Sequence, residues 1–364
     1  MDWFEKLTGF AEGSPQQVRN NLVVKGDKPD GQGVSPDYAP RTLKERRKTT
    51  GDASASRASQ RIESKVNGKT FVVGKLETPS LGELRQRIKD TDTTGKLSIR
   101  EVVADVQSLH TDPANAGALF QVASQFNLLE MVSPNRTPEA GIGIYSRDRT
   151  QGPACAIACG AGTIYRNYFV PVNGQIGQSS NSQIDCLSDL GKAWNNSQNH
   201  LWRMKNGYAL ATHRGLTRIS QKLQAANEAE IDEYRQLLRI GIQWQTQVTL
   251  KDCQHQVSQI YCSALPVAYS PLPVKLWSEF AKLILEAAYE ATICAAILNA
   301  RANGNNQLFL TLLGGGAFGN ETGWIIDSIV RALRIYQNND LNIAIVSYGL
   351  SKPAVQKLVK RFNN

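Results

Sequence analysis

The sequence predicts an α/β fold in three layers, with a mostly parallel mixed sheet between two layers of helices. Three observations predict it. Strand-like and helix-like stretches alternate through residues 66–364, a long Ala- and Leu-rich stretch free of Pro and Gly covers 275–300, and a buried strand at 308–313 runs through a glycine-rich turn into a helix. Alternating strands and helices favour a parallel sheet, whose strands need cover on both faces.

The first half of this domain begins with a strand at 69–76 and a helix at 81–89. Ser80, followed three residues later by Glu83, matches the capping box that begins many helices. Further along we expect a short helix at 99–109, a buried strand at 117–127 and a long irregular stretch at 130–149. A loop of that length inside a compact domain is usually functional or disordered. Small residues dominate 150–163, so we expect backbone amides there to lie open to a close partner.

In the second half, period-two alternation and β-branched residues predict strands. Apolar residues at helical spacing predict the helices. The predicted strands are 207–212, 239–250, 257–265, 308–313 and 341–347, and the predicted helices are 184–190, 216–238, 275–300, 322–336 and a last one from Pro353.

Residues 1–65 differ from the rest, and we expect a flexible tail with a short apolar N-terminal peptide. Trp3, Phe4, Leu7 and Phe10 form an apolar stripe at helical spacing, which predicts docking to a protein partner. Residues 26–64 are rich in Gly, Pro, Asp, Ser, Lys and Arg. Such a composition cannot bury enough surface to offset the entropy lost on ordering.

Composition restricts the class of protein. The chain has 364 residues, 41% of them apolar, which suffices for a sizeable core. No run approaches the roughly 20 continuous apolar residues of a membrane helix, so we expect no membrane association. The first residues include acids and no apolar segment, so no secretory signal is expected. The net charge of +9 is spread along the chain, which indicates a solvated basic surface rather than nucleic-acid binding.

The six cysteines are scattered and lie mostly in apolar runs, as buried thiols do, so we expect a reducing, cytoplasmic environment. Cys155 and Cys159 form a C-x₃-C pair, but no second Cys or His pair has zinc spacing. We therefore expect neither a metal nor a cofactor.

The glycine-rich turn is the most informative stretch for function. Glycines allow positive φ and close approach of a ligand to the amides, and the following helix N-terminus favours a phosphate. The alternative interpretation is a plain turn without a ligand.

Two glycine- and alanine-rich loops after strands, together with the segments between them, resemble the macrodomain fold. The order of strand 257–263, the Pro-Val-Ala-Tyr-Ser segment from Pro266, the long helix, the next strand and Gly-Gly-Gly-Ala-Phe-Gly-Asn from Gly314 is similar to the second half of a macrodomain. In the first half, 122–127 resembles the strand that ends in the ribose-contacting asparagine of the family, and the run from Gln151 resembles its first loop. The resemblance covers roughly 115–350.

Within this superfamily the chain is most similar to the larger relatives of poly(ADP-ribose) glycohydrolases, including bacterial enzymes that remove ADP-ribose from ubiquitin. With the latter it shares a Thr-Gln-Gly-Pro-Ala-Cys run. It departs from the ordinary macrodomain by the insertion 130–149, by Pro153 and by the additional segment 165–250. It also lacks the Gly-Gly-Gly-x₆-Gln-Glu-Glu signature of the glycohydrolases, so the resemblance does not identify a catalytic acid.

The resemblance implies ADP-ribose, or an ADP-ribosylated protein, as ligand. The implied ligand-binding residues are Gln125, Asn127, Gly152, Ala154, Gly314, Gly315, Gly316, Ala317, Phe318, Gly319 and Asn320. The loop 314–319 would wrap the diphosphate, with Phe318 packing on ribose, whereas Gln125 and Asn127 either bind ribose hydroxyls or satisfy the backbone of their own loop.

Breaking a bond at the anomeric carbon calls for a carboxylate, and three are candidates. Asp148 lies two residues before the small-residue run, where the proximal ribose is expected; the alternative is a solvated charge beside Arg147 and Arg149. Glu139 and Glu130, in the same inserted loop, are weaker candidates. We therefore predict a hydrolase of protein-linked ADP-ribose. The alternatives are a non-catalytic reader of ADP-ribose or a related nucleotide, and an interaction protein without ligand chemistry.

Overall fold

The computed structural model describes residues 1–26, 60–89 and 95–363. Its N-terminal part contains α1 (Trp3–Thr8), α2 (Pro15–Asn21), β1 (Leu22–Lys25), β2 (Arg61–Ser64), β3 (Thr70–Val72), β4 (Lys75–Glu77), α3 (Leu81–Ile88), β5 (Ser98–Val103), α4 (Val106–Thr111) and β6 (Leu119–Ala123). The middle part contains α5 (Gln151–Ala158), α6 (Gly160–Tyr168), β7 (Pro171–Val172), β8 (Gln175–Ile176), α7 (Ser188–Ala193), β9 (Trp202–Lys205), β10 (Tyr208–Ala211), α8 (His213–Ala225) and α9 (Glu228–Gln236). The last part contains β11 (Gly241–Gln247), β12 (Gln256–Cys262), α10 (Val274–Asn303), β13 (Gln307–Leu310), α11 (Thr322–Ile335), β14 (Asn342–Ser347) and α12 (Pro353–Asn363).

The central sheet has seven strands in the order β4-β11-β12-β6-β13-β14-β5. The five strands from β12 to β5 are parallel to one another, and β11 is antiparallel to both of its neighbours. The parallel strands therefore all end at one edge of the sheet. In α/β sheets this carboxyl edge is where ligands bind.

Alternate residues of β12 show that helices cover both faces. Gln259 donates to the carbonyl of Cys155 on α5 at 2.9 Å, and Tyr261 accepts from Arg166 on α6. On the opposite face Ser258 donates to Asn299 of α10 at 2.9 Å. Successive side chains of a strand point to opposite faces, so α5 and α6 lie on one side and α10 on the other. This confirms the predicted three-layer α/β fold class with its mostly parallel sheet.

The long helix α10 lies at the centre of its layer. Among the described residues it is the one helix long and apolar enough to cross a membrane, and 83% of its most apolar window is buried inside the protein. Its Glu290, 1% exposed, bonds Arg85 of α3 and Arg331 of α11 at 2.6 Å each. Ion pairs of a buried carboxylate thus join three helices of this layer.

Three sequence-predicted elements are wrong in detail. The predicted helix 216–238 is two helices, α8 and α9, because Asn227 and Glu230 form a capping box that begins α9 after Ala226. The stretch 99–109 is not one helix, because β-branched residues pair as β5 with β14 and Asp105 then caps the separate helix α4. The predicted strand 69–76 divides into β3 and β4, which belong to different sheets. The division falls at Gly74, whose φ is +78° and where an added Cβ would lie 1.9 Å from the carbonyl oxygen of Trp244.

The prediction of a flexible tail over 1–65 is wrong for the parts of it that the structure describes. Phe4 is fully buried, with its ring 5.5 Å from that of Phe10 and 6.4 Å from that of Tyr168. β1 pairs with β2 across the intervening segment. The apolar stripe is therefore part of the protein's own core rather than a docking peptide for a partner. The rest of the predicted tail, 27–59, lies outside the described residues.

Candidate functional site

The loop between β13 and α11 forms one side of the carboxyl edge. Gly314 and Gly319 have φ of +75° and +69°, so the predicted positive φ is confirmed there, although not at Gly315 or Gly316. The Asn320 amide N–H donates to the Gly314 carbonyl at 2.9 Å, and the Asn320 side chain donates to the Leu265 carbonyl at 2.8 Å. Asn320 is buried, so it shapes the loop from within.

The tip of this loop exposes unused donors. The amides of Gly316, Ala317 and Phe318 make no hydrogen bond to any residue that the structure describes, and Gly316 and Ala317 are exposed. Just beyond, α11 begins at Thr322 without a side-chain cap from Glu321. Unpaired amides beside a helix N-terminus supply partial positive charge, which suits an anion such as a diphosphate.

Three aromatic rings cluster beside the same loop. Phe318 lies 5.3 Å from Tyr208 and 5.5 Å from Tyr269, and the two tyrosine rings are 5.1 Å apart. Tyr208 is fixed by a 2.6 Å hydrogen bond from its hydroxyl to the Met131 carbonyl. Sequence reasoning did not assign the two tyrosines to the site, because they lie far from the loop along the chain. A partly exposed aromatic surface next to free amides can pack on a sugar attached to a phosphate.

Asp148 approaches this cluster. Burial raises the pKa of Tyr208, and the neighbouring Tyr269 and the negative charge of Asp148 raise it further. Asp148 is half-buried, and one of its carboxylate oxygens accepts the Thr150 amide N–H at 2.9 Å. Of the three predicted catalytic carboxylates, Asp148 is the one whose charge acts on Tyr208 of the aromatic cluster.

The predicted first loop is helical rather than open. Gln151–Ala158 and Gly160–Tyr168 form α5 and α6, and every residue of α6 is buried, so the expectation of open amides is wrong from the Ala154 amide, which bonds the Thr150 carbonyl, to 163. The Gln151 side chain bonds the β6 backbone twice, accepting from the Ala123 amide at 2.8 Å and donating to the Gln121 carbonyl at 2.7 Å. A Cβ on Gly152 would lie 1.9 Å from the Ala123 carbonyl oxygen. Gly152 thus serves the close approach of α5 to the end of β6.

A groove of about 990 Å³ extends along the other side of α5. Its lining includes Asp105, Asp148, Ala154 and Tyr348, and it continues past α1 to the loop 249–254. Tyr348, 71% exposed, directly follows β14, and Asp105 directly precedes α4. These two residues were not predicted from the sequence, where a single Tyr and a single Asp carry no motif. No residue of 314–320 lines the groove. Asp148 lines it, and the charge of Asp148 also acts on Tyr208 of the aromatic cluster.

The two predicted ribose-binding amides are used inside their own loop. Gln125 exchanges hydrogen bonds with the backbone of Met131, at 2.8 and 3.2 Å. Asn127 is fully buried, accepts the Leu129 amide and donates to Gln183 at 2.9 Å. The structure therefore favours the alternative, that both residues satisfy loop backbone.

Glu130 is buried beneath the site. Neither of its carboxylate oxygens has a hydrogen-bond partner among the described residues, and the nearest cation is Arg166, with 3.6 Å between nitrogen and oxygen. Burial raises the pKa of Glu130 to about 7, although the charge of Arg166 and the Tyr145 hydroxyl act in the opposite direction. A fully enclosed carboxyl group cannot touch a ligand in this conformation.

Glu139 is exposed and is engaged elsewhere. Its carboxylate accepts the Ser180 amide N–H at 2.7 Å, and it does not line the groove. Partial burial raises the pKa of Glu139, but hydrogen bonds from Ser180 and Thr137 outweigh that effect and lower it overall. Glu139 therefore stabilises the contact between its own loop and Ser180.

No family model matches the chain, and no curated protein matches it either. Among solved structures it is similar to poly(ADP-ribose) glycohydrolase from Thermomonospora curvata, at 11% identity and a TM-score of 0.43, over 83% of this chain and 93% of that one. The same enzyme bound to the inhibitor ADP-HPD matches at 11% identity and a TM-score of 0.42, over 81% and 90% of the two chains.

The glycohydrolase from Deinococcus radiodurans in complex with ADP-ribose is also similar, at 11% identity and a TM-score of 0.41. That match covers 79% of this chain and 92% of the other. Because all three TM-scores lie below 0.5, the assignment of a ligand rests on this chain's own residues.

Proposed function

We propose that the protein binds ADP-ribose along the carboxyl edge of its sheet and hydrolyses the bond that joins ADP-ribose to a protein side chain. The observation that carries the proposal is the set of free amides at Gly316, Ala317 and Phe318, next to the Phe318 aromatic cluster and to Asp148. Diphosphate, sugar and carboxylate would then meet in one place.

The binding part of the proposal follows from the donors and the rings. The amides of 316–318 and the uncapped start of α11 would hold the diphosphate. Phe318 would pack on the ribose whose anomeric carbon carries the protein. The adenine would lie in the groove, where exposed Tyr348 offers a ring for stacking. Asp105 could accept a hydrogen bond from the adenine amino group, because one of its carboxylate oxygens accepts none among the described residues.

The chemical part of the proposal assigns Asp148 to the anomeric carbon. Hydrolysis breaks the bond from that carbon to the linked side chain, and the oxygen of a water molecule replaces it. The leaving group takes a proton and the water loses one. Asp148 would accept the proton from water as general base, and its charge would stabilise the oxocarbenium-like centre in the transition state. The binding contacts would hold water and carbon in place for this step.

Two measurements test the proposal. Calorimetric titration with ADP-ribose should show binding, and Phe318→Ala should weaken it. Absence of heat at millimolar ADP-ribose would refute the proposed binding. Release of ADP-ribose from a modified protein should fall at least about 100-fold in Asp148→Asn, a loss typical of removing a general base. Glu139→Gln, a carboxylate outside the groove, is the matched control and should retain activity. Binding without release in the wild type would instead identify a reader.

A further inference from the structure

The N-terminal segment is bonded directly to the inserted loop that carries Asp148. The Glu12 carboxylate accepts the amide N–H groups of Ile142 and Gly143, at 2.9 and 2.7 Å. The same carboxylate accepts the Tyr168 hydroxyl of α6 at 2.6 Å. One side chain therefore joins the N-terminal segment, the inserted loop and the helix layer.

We propose that Glu12 is a positioning residue for Asp148, and that the N-terminal segment fixes the inserted loop in its active conformation. The assignment of a catalytic role to Asp148 rests on the proposed function. The bond from Glu12 to the loop does not.

The inserted loop has glycines where the N-terminal segment approaches it most closely. Gly141 has a φ of +84°, and a Cβ on it would lie 2.4 Å from a Glu12 carboxylate oxygen. A Cβ on Gly143 would lie 2.6 Å from Asp2 and 2.9 Å from Glu12. Trp3 adds a third bond, from its indole N–H to the Ile142 carbonyl at 3.1 Å. The two glycines admit the N-terminal segment where larger residues would exclude it.

The contact reaches Asp148 through one short turn. Residues Gly143–Arg147 form a 3₁₀ turn, and the Asp148 amide N–H closes it on the Tyr145 carbonyl at 3.1 Å. Tyr145 is buried, and its hydroxyl accepts the Glu130 amide at 3.0 Å. The turn is thus held at its start by Glu12 and in its middle by Tyr145, and Asp148 follows at its end. Without Glu12 the amides at its start lose their acceptor.

A purely structural role for Glu12 would affect folding and binding together, whereas a positioning role would affect the chemical step. In Glu12→Ala we expect kcat for release of ADP-ribose to fall by about 10- to 100-fold, as expected when a catalytic group shifts by about an ångström. The Kd for ADP-ribose should stay within about twofold, because the diphosphate and aromatic contacts are made elsewhere. Glu12→Gln keeps one acceptor and should lie between Ala and wild type.

Hydrogen exchange of the full-length protein gives a readout independent of activity. Amides of 142–148 should exchange faster in Glu12→Ala and keep their wild-type rates in the control Glu5→Gln, a substitution in the same segment. Tyr168→Phe, which keeps the Glu12 bonds to the loop, should also retain slow exchange. Unchanged exchange and unchanged kcat in Glu12→Ala would overturn the proposal. A rise in Kd by the same factor as the fall in kcat would also overturn it.

The failure of the proposed function would look different. If wild-type protein neither binds nor releases ADP-ribose, the function is wrong. The exchange rates would still show whether Glu12 fixes the loop.

Discussion

Replacing Glu130 by glutamine should change how the stability of the protein depends on pH. Glu130 is enclosed, its carboxylate oxygens lack hydrogen-bond partners among the described residues, and burial raises its pKa from 4.5 to about 7. In the folded protein the group therefore keeps its proton at pH values where the unfolded chain has already lost it. A buried acid of this kind makes folding less favourable as the pH rises.

The size of the effect follows from the shift of the pKa. Between pH 4.5 and 7 the folded state binds more protons than the unfolded state, so the free energy of unfolding falls across this window and is flat above it. At about 1.4 kcal/mol per pKa unit, the change amounts to about 3 kcal/mol. A glutamine side chain has the same size as glutamate and does not titrate, so the Glu130→Gln variant should lack this part of the pH dependence.

Urea unfolding of wild type and Glu130→Gln at pH 5 and pH 8 measures the difference. Between pH 5 and pH 8 the free energy of unfolding of the variant should rise relative to that of the wild type by about 2.5 kcal/mol. Glu12 also has a raised pKa, mainly through burial, but both proteins retain it and its contribution cancels. Glu139→Gln is the control. The pKa of Glu139 is lowered in the folded protein, so this group changes the free energy of unfolding only below about pH 4.5, and the variant should keep the wild-type pH dependence between pH 5 and pH 8. Parallel pH profiles for wild type and Glu130→Gln would refute the reasoning and show that Arg166 keeps Glu130 charged.

Three further substitutions have expected outcomes. Gly152→Ala should destabilise the fold by about 1–3 kcal/mol in thermal unfolding, because its Cβ meets the carbonyl at the end of β6, whereas Gly323→Ala, with open space around the Cβ, should not. Tyr348→Ala should weaken ADP-ribose binding by about 5- to 100-fold in calorimetry and Tyr348→Phe much less, since stacking needs only the ring; equal affinities would place adenine elsewhere. Arg85→Ala removes one of two ion-pair partners of buried Glu290 and should cost about 3 kcal/mol in urea unfolding, and a loss below about 1 kcal/mol would contradict that role.

The fold class could be predicted from the sequence because its signals are local. The capping box at Ser80 and Glu83 is present in the structure, and the glycine turn after β13 leads into α11 as the pattern indicates. The predicted helix at 99–109 failed because pairing with β14 overrides local preference, and a partner strand that arrives far later in the chain cannot be seen in a window around Ile99.

The site was less predictable, since its parts meet only through the tertiary fold. Phe318 could be found from its loop, but Tyr208 and Tyr269 join it from separate segments and carry no motif of their own. The burial of Glu130 and of Asn127 could not be read from the sequence either. Polar residues in a long loop predict exposure, but Arg166 and Asn167 of α6 donate to the carbonyls of Leu128 and Pro138, so this region packs against α6.

Binding and chemistry are assigned to different parts of the chain. The free amides and Phe318 belong to the loop between β13 and α11. Both of these elements are part of the central sheet and its helix layers, so the core fixes the two ends of the loop. Asp148 belongs to the inserted loop, which contributes no strand to that sheet. A loop without ladder hydrogen bonds needs other partners to hold a side chain in place, and Glu12 and Trp3 supply them from the N-terminal segment. It follows that substitutions in that segment should separate turnover from affinity, whereas substitutions in the glycine loop should change affinity first.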